Sequence, residues 1–335
     1  MEQLQHDLSE ICGRYRVRVI QTKPVDDYYL LETNRGTKEL RTWPRIDVMR
    51  WSCSWREQVA RQGYRNVERF IRTRDAKPYV INNKIGYTLT DHVRPLNPFI
   101  PSLDQVETCG EIVARMHQAQ LSQRLAIAYE LFNKECAVLS LDEKRAVEYQ
   151  RELTEQYANL SELDEWVASQ FTPLLQRMRR SLQILGKAVD DETQLAVSHR
   201  TMHSHNFGLL EDRVVLKGFY RPVLSIQQRD AASFVRELYL ATSNLDVIDS
   251  FLNGYDEQKN YTYQDYLLLL GFLAFPTEPW KSMERYFSHP RHARDETVAL
   301  AVSKSLQDQQ TIDTLLQHIA VRAERIGRGR SHEPI

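Results

Sequence analysis

The first third of the chain alternates between polar positions and β-branched or aromatic positions, a pattern that predicts short strands. Residues 15–22, 28–34 and 37–43 each follow this two-residue period. Asn34-Arg35-Gly36 stands between the second and third segments and has the composition of a tight turn. We therefore predict three consecutive strands at the start of the chain.

A helix is predicted next, because apolar side chains from Val48 to Val59 recur at spacings of three and four. Gly63 stands where such a helix would end. Strand-like alternation then returns in residues 67–73 and 77–93.

The pattern changes after residue 97, where prolines are followed by long helical stripes. We predict a small β-rich lobe in residues 1–90, a linker in 91–101 and a mainly helical lobe in 102–335. Residues 195–225 interrupt the helical lobe and are predicted to form a strand, a loop and a strand. This organisation predicts an α+β protein with two lobes.

Charge and composition exclude several classes of function. The chain has 44 Lys and Arg against 45 Asp and Glu, so a global nucleic-acid-binding surface is not expected. No apolar run is long enough to cross a membrane, and the N-terminal residues lack the pattern of a signal peptide. The four cysteines are scattered, which argues against a zinc site or disulfides and favours a reducing cytoplasm.

The loop of residues 199–206 carries a resemblance to a known superfamily. His199 and Asn206 stand seven residues apart, as in the motif H-G-D-x-x-x-x-N of aminoglycoside phosphotransferases and choline kinases. The next strand puts Gly218 where that superfamily has its metal-binding Asp, and Asp230 matches the start of a following helix. The resemblance implies a bilobal, protein-kinase-like fold.

Other segments resemble the spore coat proteins of the CotS type within that superfamily. The segments are Thr33–Gly36, Gly63–Val67, Ala114–Ala119, Phe275-Pro276 and Trp280-Lys281. The resemblance implies synthesis in the cytoplasm of the mother cell and deposition in the spore coat. It also implies other coat proteins as partners, with no nucleic acid and no membrane.

Phosphoryl transfer needs a lysine on the phosphates, Mg²⁺ held by Asp and Asn, and an Asp near the attacking hydroxyl. Thr201 replaces the last of these, and its hydroxyl cannot accept a proton at neutral pH. Gly218 has no ligand to offer, so Asn206 alone would face the metal. We therefore expect no catalysis and no bound cofactor.

The strand that would carry the phosphate-binding lysine has Arg41 instead, which keeps the charge but not the compact ammonium group. Lys38 lies three residues away and is expected to point to the opposite face. Glu57, on the first helix, lies where a partner of Arg41 would be, although a solvated helix charge is an equal alternative. The turn at 23–27 contains no glycine and two carboxylates, which would repel phosphate.

The remaining residues of this region are interpreted as structural. Asp230 is expected to bond the backbone of the 199–206 loop, as the resemblance implies. His199, His203 and His205 are close in sequence, but no cysteine or carboxylate completes a metal set, so loop packing is favoured.

Three hypotheses follow. The first is a non-catalytic, kinase-like spore coat protein that acts as a scaffold or binding module. The second is an ATP-dependent phosphotransferase for a small molecule, with displaced catalytic residues. The third is a pseudokinase whose cleft binds a nucleotide or metabolite without turnover.

Overall fold

The computed structural model describes most of the 335-residue chain. The described residues are 2–25, 28–97, 102–119, 125–155, 160–188, 195–199, 202–219, 223–290 and 296–330.

The first lobe is an antiparallel sheet with a helix on each face. Its elements are α1 (Glu2–Arg14), β1 (Val19–Val25), β2 (Tyr28–Thr33), β3 (Gly36–Trp43), α2 (Ile46–Arg61), β4 (Val80–Asn82) and β5 (Ile85–Asp91). The strands lie in the order β1-β2-β3-β5-β4. The three predicted strands and the helix after them are confirmed, and residues 77–93 form two further strands.

Alternation along β3 decides which helix covers which face of this sheet. Leu40 packs with Leu89 and with Tyr15, which directly follows α1. Trp43, three residues along the strand, packs on the other face with Met49 of α2. Helix α1 lies outside the segments that the alternation predicted, because its apolar residues Leu8, Ile11 and Cys12 form only one short stripe.

The second lobe is mainly helical and holds two small sheets. Its elements are β6 (Arg94–Pro95), α3 (Leu103–Gln118), α4 (Leu125–Glu155), α5 (Glu162–Ser169), α6 (Phe171–Ala188), β7 (Leu195–Ser198), β8 (Phe207–Leu210), β9 (Arg213–Leu216), β10 (Val223–Ile226), α7 (Gln228–Thr242), α8 (Leu245–Gln258), α9 (Tyr263–Ala274), α10 (Thr277–Ser288) and α11 (Glu296–Arg330). The α+β, two-lobed architecture expected from the sequence is confirmed. None of the helices in the described ranges combines the length and the hydropathy that crossing a lipid bilayer requires.

Residues 67–73 were expected to form a strand, and this expectation is wrong. They form only isolated bridges, which join Val67 to Leu216, Phe70 to Thr90 and Thr73 to Tyr15. The backbone amide of Leu216 donates to Asn66 O at 2.7 Å, and the amide of Glu68 donates to Leu216 O at 2.8 Å. The segment therefore joins the two lobes instead of extending the sheet.

Helices α3 and α8 pack against each other in the core of the second lobe, and two glycines allow their backbones to approach. A Cβ atom on Gly110 would overlap the carbonyl oxygen of Phe251 and would lie 2.8 Å from the amide nitrogen of Tyr255. A Cβ atom on Gly254 would in turn overlap the carbonyl oxygen of Glu107. The helix crossing therefore depends on the absence of side chains at these two positions.

Substitution of Gly110 by Ala is expected to destabilise the protein. The added methyl group has no space between α3 and α8, and overpacking of this kind costs about 1–3 kcal/mol or more. The measurement is the free energy of unfolding in urea. Gly186→Ala on α6 is the matched control, because Gly186 is exposed and has no atom within 4 Å of its Cβ position. Alanine is the better helix former by about 1 kcal/mol, so a gain is expected there, and equal losses in both variants would contradict the close helix crossing.

Candidate functional site

The loop between β7 and β8 holds two of the residues that the sequence motif singled out. His199 follows β7 and is buried, and Asn206 ends a short 3₁₀ helix and is also buried. The side-chain oxygen of Asn206 accepts a hydrogen bond from the backbone amide of His203 at 2.9 Å. Thr201 lies outside the described residues.

Asp230, in the first turn of α7, lies directly under this loop and is fully buried. Its carboxylate accepts hydrogen bonds from the His199 amide at 2.6 Å and from the Ser198 hydroxyl at 2.9 Å. Burial alone would raise the pKa of Asp230, but its partners, above all His117, hold that pKa below its usual value. Asp230 therefore acts in this structure as an anionic acceptor that fixes the end of β7.

His117, near the end of α3, is a third partner of this carboxylate. Its Nε2 lies 3.5 Å from an Asp230 oxygen, and its Nδ1 lies 3.0 Å from the hydroxyl of Tyr255. Burial lowers the pKa of His117 more than the hydrogen bond to Asp230 raises it. The imidazole is accordingly neutral at pH 7.

Gly218 occupies the position where, by the resemblance, the superfamily has a metal-binding Asp, and neighbouring atoms fill the space beside it. Its φ is +92°, and a Cβ atom there would lie 2.7 Å from Asn206 Nδ2 and 3.2 Å from His199 Nε2. Both neighbours are buried and hydrogen-bonded, so neither can move freely aside. The position lacks both a ligand and the room for one.

The backbone on either side of Gly218 is held by hydrogen bonds from both lobes. His199 Nε2 donates to the carbonyl oxygen of Lys217 at 2.9 Å. On the other side, the Ser52 hydroxyl of α2 donates to the carbonyl oxygen of Phe219 at 2.7 Å, and an Arg56 nitrogen lies 3.3 Å from the same oxygen. These contacts fix the local backbone conformation.

A buried ion pair that the sequence reasoning missed lies beside this backbone. Arg56 of α2 contacts Glu68 at 2.7 Å, and both side chains are 2% exposed. The same Glu68 oxygen lies 3.5 Å from the Gly218 amide. An acidic side chain therefore reaches the Gly218 position, but its charge is balanced by Arg56.

The expected pairing of Glu57 with Arg41 is wrong. Glu57 pairs instead with Arg72, because the face of α2 that turns inward carries Arg56 and leaves Glu57 one residue further round the helix. The guanidinium of Arg41 lies 5.2 Å from the centre of the Tyr28 ring. Lys38 does lie on the opposite face of β3, where it pairs with Asp91 at 2.6 Å.

A cluster of three charged or ionisable groups joins the lobes at the cleft. Glu39, two residues before Arg41 and on the same face of β3, is 4% exposed. Its Oε1 lies 3.3 Å from Lys217 Nζ in the second lobe and 2.8 Å from His92 Nδ1 after β5. The two-residue period of β3 is enough to predict that Glu39 and Arg41 share a face. The partners of Glu39, His92 and Lys217, are distant in sequence and could not be predicted in this way.

The residues that the sequence motif singled out fall into two groups in the structure. His199, Asn206, Gly218 and Asp230 lie together, whereas Arg41 and Glu57 have other neighbours. Within the described residues, no three His, Cys, Asp or Glu side chains are grouped as metal ligands would be. The described part of the site thus consists of a hydrogen-bonded loop and an interlobe ion cluster.

Comparison of the amino-acid sequence with known protein families identifies the family of this chain. Residues 9–319 match the family model described as "Spore coat putative kinase YutH". The chain belongs to this family. The match confirms the resemblance to spore coat proteins of the CotS type. A search of the curated proteins gave no match for this YutH-family chain.

Solved structures with the same fold include several phosphotransferases. An aminoglycoside phosphotransferase from Alicyclobacillus acidocaldarius is 16% identical with a TM-score of 0.77, over 95% of this chain and 96% of that one. Spectinomycin phosphotransferase, solved with ADP and spectinomycin, is 14% identical with a TM-score of 0.59, over 96% and 98%. Choline kinase from Cryptosporidium parvum is 11% identical with a TM-score of 0.53, over 94% and 97%. At these identities the likeness establishes the kinase-like fold alone.

Substitution of Gly218 by Ala tests whether the Gly218 position is closed. Gly63→Ala is the matched control, because Gly63 has a φ of +89° but no atom within 4 Å of its Cβ position. A positive φ costs alanine about 1–2 kcal/mol in either variant. The contacts with Asn206 and His199 should add about 1–3 kcal/mol at Gly218 only. Urea unfolding of the two variants measures the difference, and equal losses would show that the space is open.

The pH dependence of stability tests the neutral state of His117. Its folded pKa lies below the usual 6.5, so acidification below that value protonates the unfolded chain first and destabilises the fold. The slope is at most about 1.4 kcal/mol per pH unit for one group. His117→Gln should show a shallower loss of stability between pH 7 and pH 5. Burial also lowers the pKa of His205, but that contribution is present in both proteins, so identical slopes would contradict this role of His117.

Proposed function

We propose that this YutH-family chain is a non-catalytic kinase-like protein that serves as a scaffold or binding module in the spore coat. The observation that carries the proposal is the packing at Gly218. Asn206 and His199 fill the space that a metal-binding side chain would need. Membership of a spore coat family supports the location, with synthesis in the mother-cell cytoplasm before deposition.

The interlobe cluster supports the same proposal on electrostatic grounds. Lys217 is the partner of Glu39, whose carboxylate is almost fully buried. A nucleotide phosphate that captured Lys217 would leave Glu39 with His92 alone. A buried charge that loses its partner is strongly destabilised, by about 3–5 kcal/mol in typical cases. Phosphate binding in the cleft would therefore work against the structure already present.

A phosphotransferase with displaced residues is the second candidate, and one contact favours it. The carboxylate of Glu68 approaches the Gly218 amide, close to where a metal ligand is missing. Its pairing with Arg56 argues against a metal role, because a ligand carboxylate would have to leave that buried arginine unpaired.

Thermal unfolding with ATP, with and without Mg²⁺, and a γ-phosphate transfer assay test the proposal together. A ligand at a hundred times its Kd would stabilise the fold by about 2.7 kcal/mol and raise the Tm clearly. We expect no Mg²⁺-dependent shift and no transfer to water, protein or small hydroxylated and amino compounds.

Two other outcomes would replace the proposal. A Mg²⁺-dependent shift with turnover would establish a phosphotransferase, and loss of that turnover in Glu68→Gln with the fold intact would identify the displaced ligand. A shift that is independent of Mg²⁺ and has no turnover would establish a nucleotide-binding pseudokinase.

A further inference from the structure

A cavity of about 160 Å³ lies where the segment after α2 meets the β8–β9 hairpin. Three arginines from two separate parts of the chain contribute to its wall. Arg65 and Arg69 come from the segment after α2, and Arg213 comes from the start of β9. We refer to this cavity as the arginine pocket.

Backbone contacts fix the two segments relative to each other and so fix the origin of each arginine. The amide of Glu68 donates to Leu216 O, and the Asn66 side chain donates to Val214 O at 2.9 Å. The arginines thus project from backbone that is held in place on both sides of the pocket. Such a pocket needs little ordering of the chain when a ligand binds.

The three guanidinium groups have no partner in the part of the chain that the structure describes. Neither a hydrogen bond nor an ion pair involves the side chain of Arg65, Arg69 or Arg213 there. Arg213 also lines a neighbouring, more open cavity with Asp212, but no described carboxylate lies within 4.0 Å of its nitrogens. The positive charge of the pocket is therefore not balanced from within.

The two carboxylates in the wall of the pocket are already neutralised by other cations. Asp91 pairs with Lys38 at 2.6 Å, and Glu68 pairs with Arg56 at 2.7 Å. Neither is thus available to compensate the arginines without breaking an existing pair. The pocket holds three positive charges in excess.

We propose that the arginine pocket binds a small oxyanion with two or more negative charges, of the phosphate or pyrophosphate class. Arginine pairs with phosphate oxygens through two parallel hydrogen bonds. The buried side chains of Val67, Val93 and Val215 lie behind the same wall and support it. The volume is below the roughly 300–1,000 Å³ of pockets for drug-sized ligands, so a compact anion fits better than a nucleotide.

Binding of this anion would be independent of phosphoryl transfer in the cleft, and its place is between the lobes. Arg69 belongs to the segment that follows the first lobe's helix, whereas Arg213 belongs to the second lobe. An anion shared by both would add a charge-assisted contact across the joint between the lobes. It would stabilise the folded chain by mass action.

Isothermal titration calorimetry of the full chain with pyrophosphate and with inorganic phosphate tests the proposal, in potassium chloride of constant ionic strength. We expect pyrophosphate to bind more tightly than phosphate, because it has more charge. Arg213→Gln should weaken binding by about tenfold or more, as expected for loss of a hydrogen bond to a charged group. Arg50→Gln on α2 is the matched control, since Arg50 is an exposed arginine outside the pocket, and it should leave the Kd unchanged within about twofold.

Three results would overturn the proposal. They are the absence of binding heat with both anions at millimolar concentration, equal weakening by Arg50→Gln and Arg213→Gln, and unchanged binding in the double variant Arg65→Gln/Arg213→Gln. The first would show that the pocket takes neither anion, the second that only net charge matters, and the third that the anion binds elsewhere. The Tm of each variant without anion should match that of the unaltered protein, because exposed arginines without partners contribute little to stability.

Discussion

The buried carboxylate of Asp230 is the interaction on which the centre of the second lobe depends. An ionised group without partners in such a place would cost several kcal/mol, so its hydrogen-bond donors must be in position together. Those donors come from the end of β7 and from α3, and the carboxylate itself comes from α7. The buried Asp230 carboxylate thus fixes the relative positions of β7, α3 and α7. It also fixes the start of the loop that follows β7.

That loop shows how a kinase-like fold can keep its architecture while its site changes. The spacing of His199 and Asn206 is retained, and Asp230 still holds the backbone beneath them. The space between the two side chains and Gly218 is filled, so a larger side chain at this position would need these neighbours or the backbone to move.

Much of the fold could be predicted from the sequence, since the short strands and long helical stripes have clear periods. The resemblance also predicts that Gly218 stands in place of the superfamily's metal-binding residue, and this stays a prediction. Whether Glu57 is a partner of Arg41 could not be predicted. Residues 56 and 57 are only 100° apart around the helix, and the sequence pattern does not show which of them faces inward. In the structure Arg56 faces inward and pairs with Glu68.

Contacts between residues that are far apart in the sequence also could not be predicted. Lys217 and Glu39 are 178 residues apart, and neither has a local pattern that points to the other. Residues 67–73 have the alternation of a strand, yet they join the lobes because Val67 and Glu68 pair with β9, whereas Phe70 and Ile71 pair with β5. Local composition predicts an extended conformation there, but only the tertiary structure selects the partner.

The joint between Asn66, Glu68 and Leu216 also limits how the lobes can move. Backbone hydrogen bonds there resist stretching, while rotation about them needs only small changes in geometry. The Ser52–Phe219 hydrogen bond and the Glu39–Lys217 ion pair also connect the lobes, so a large rotation about the joint would have to break them.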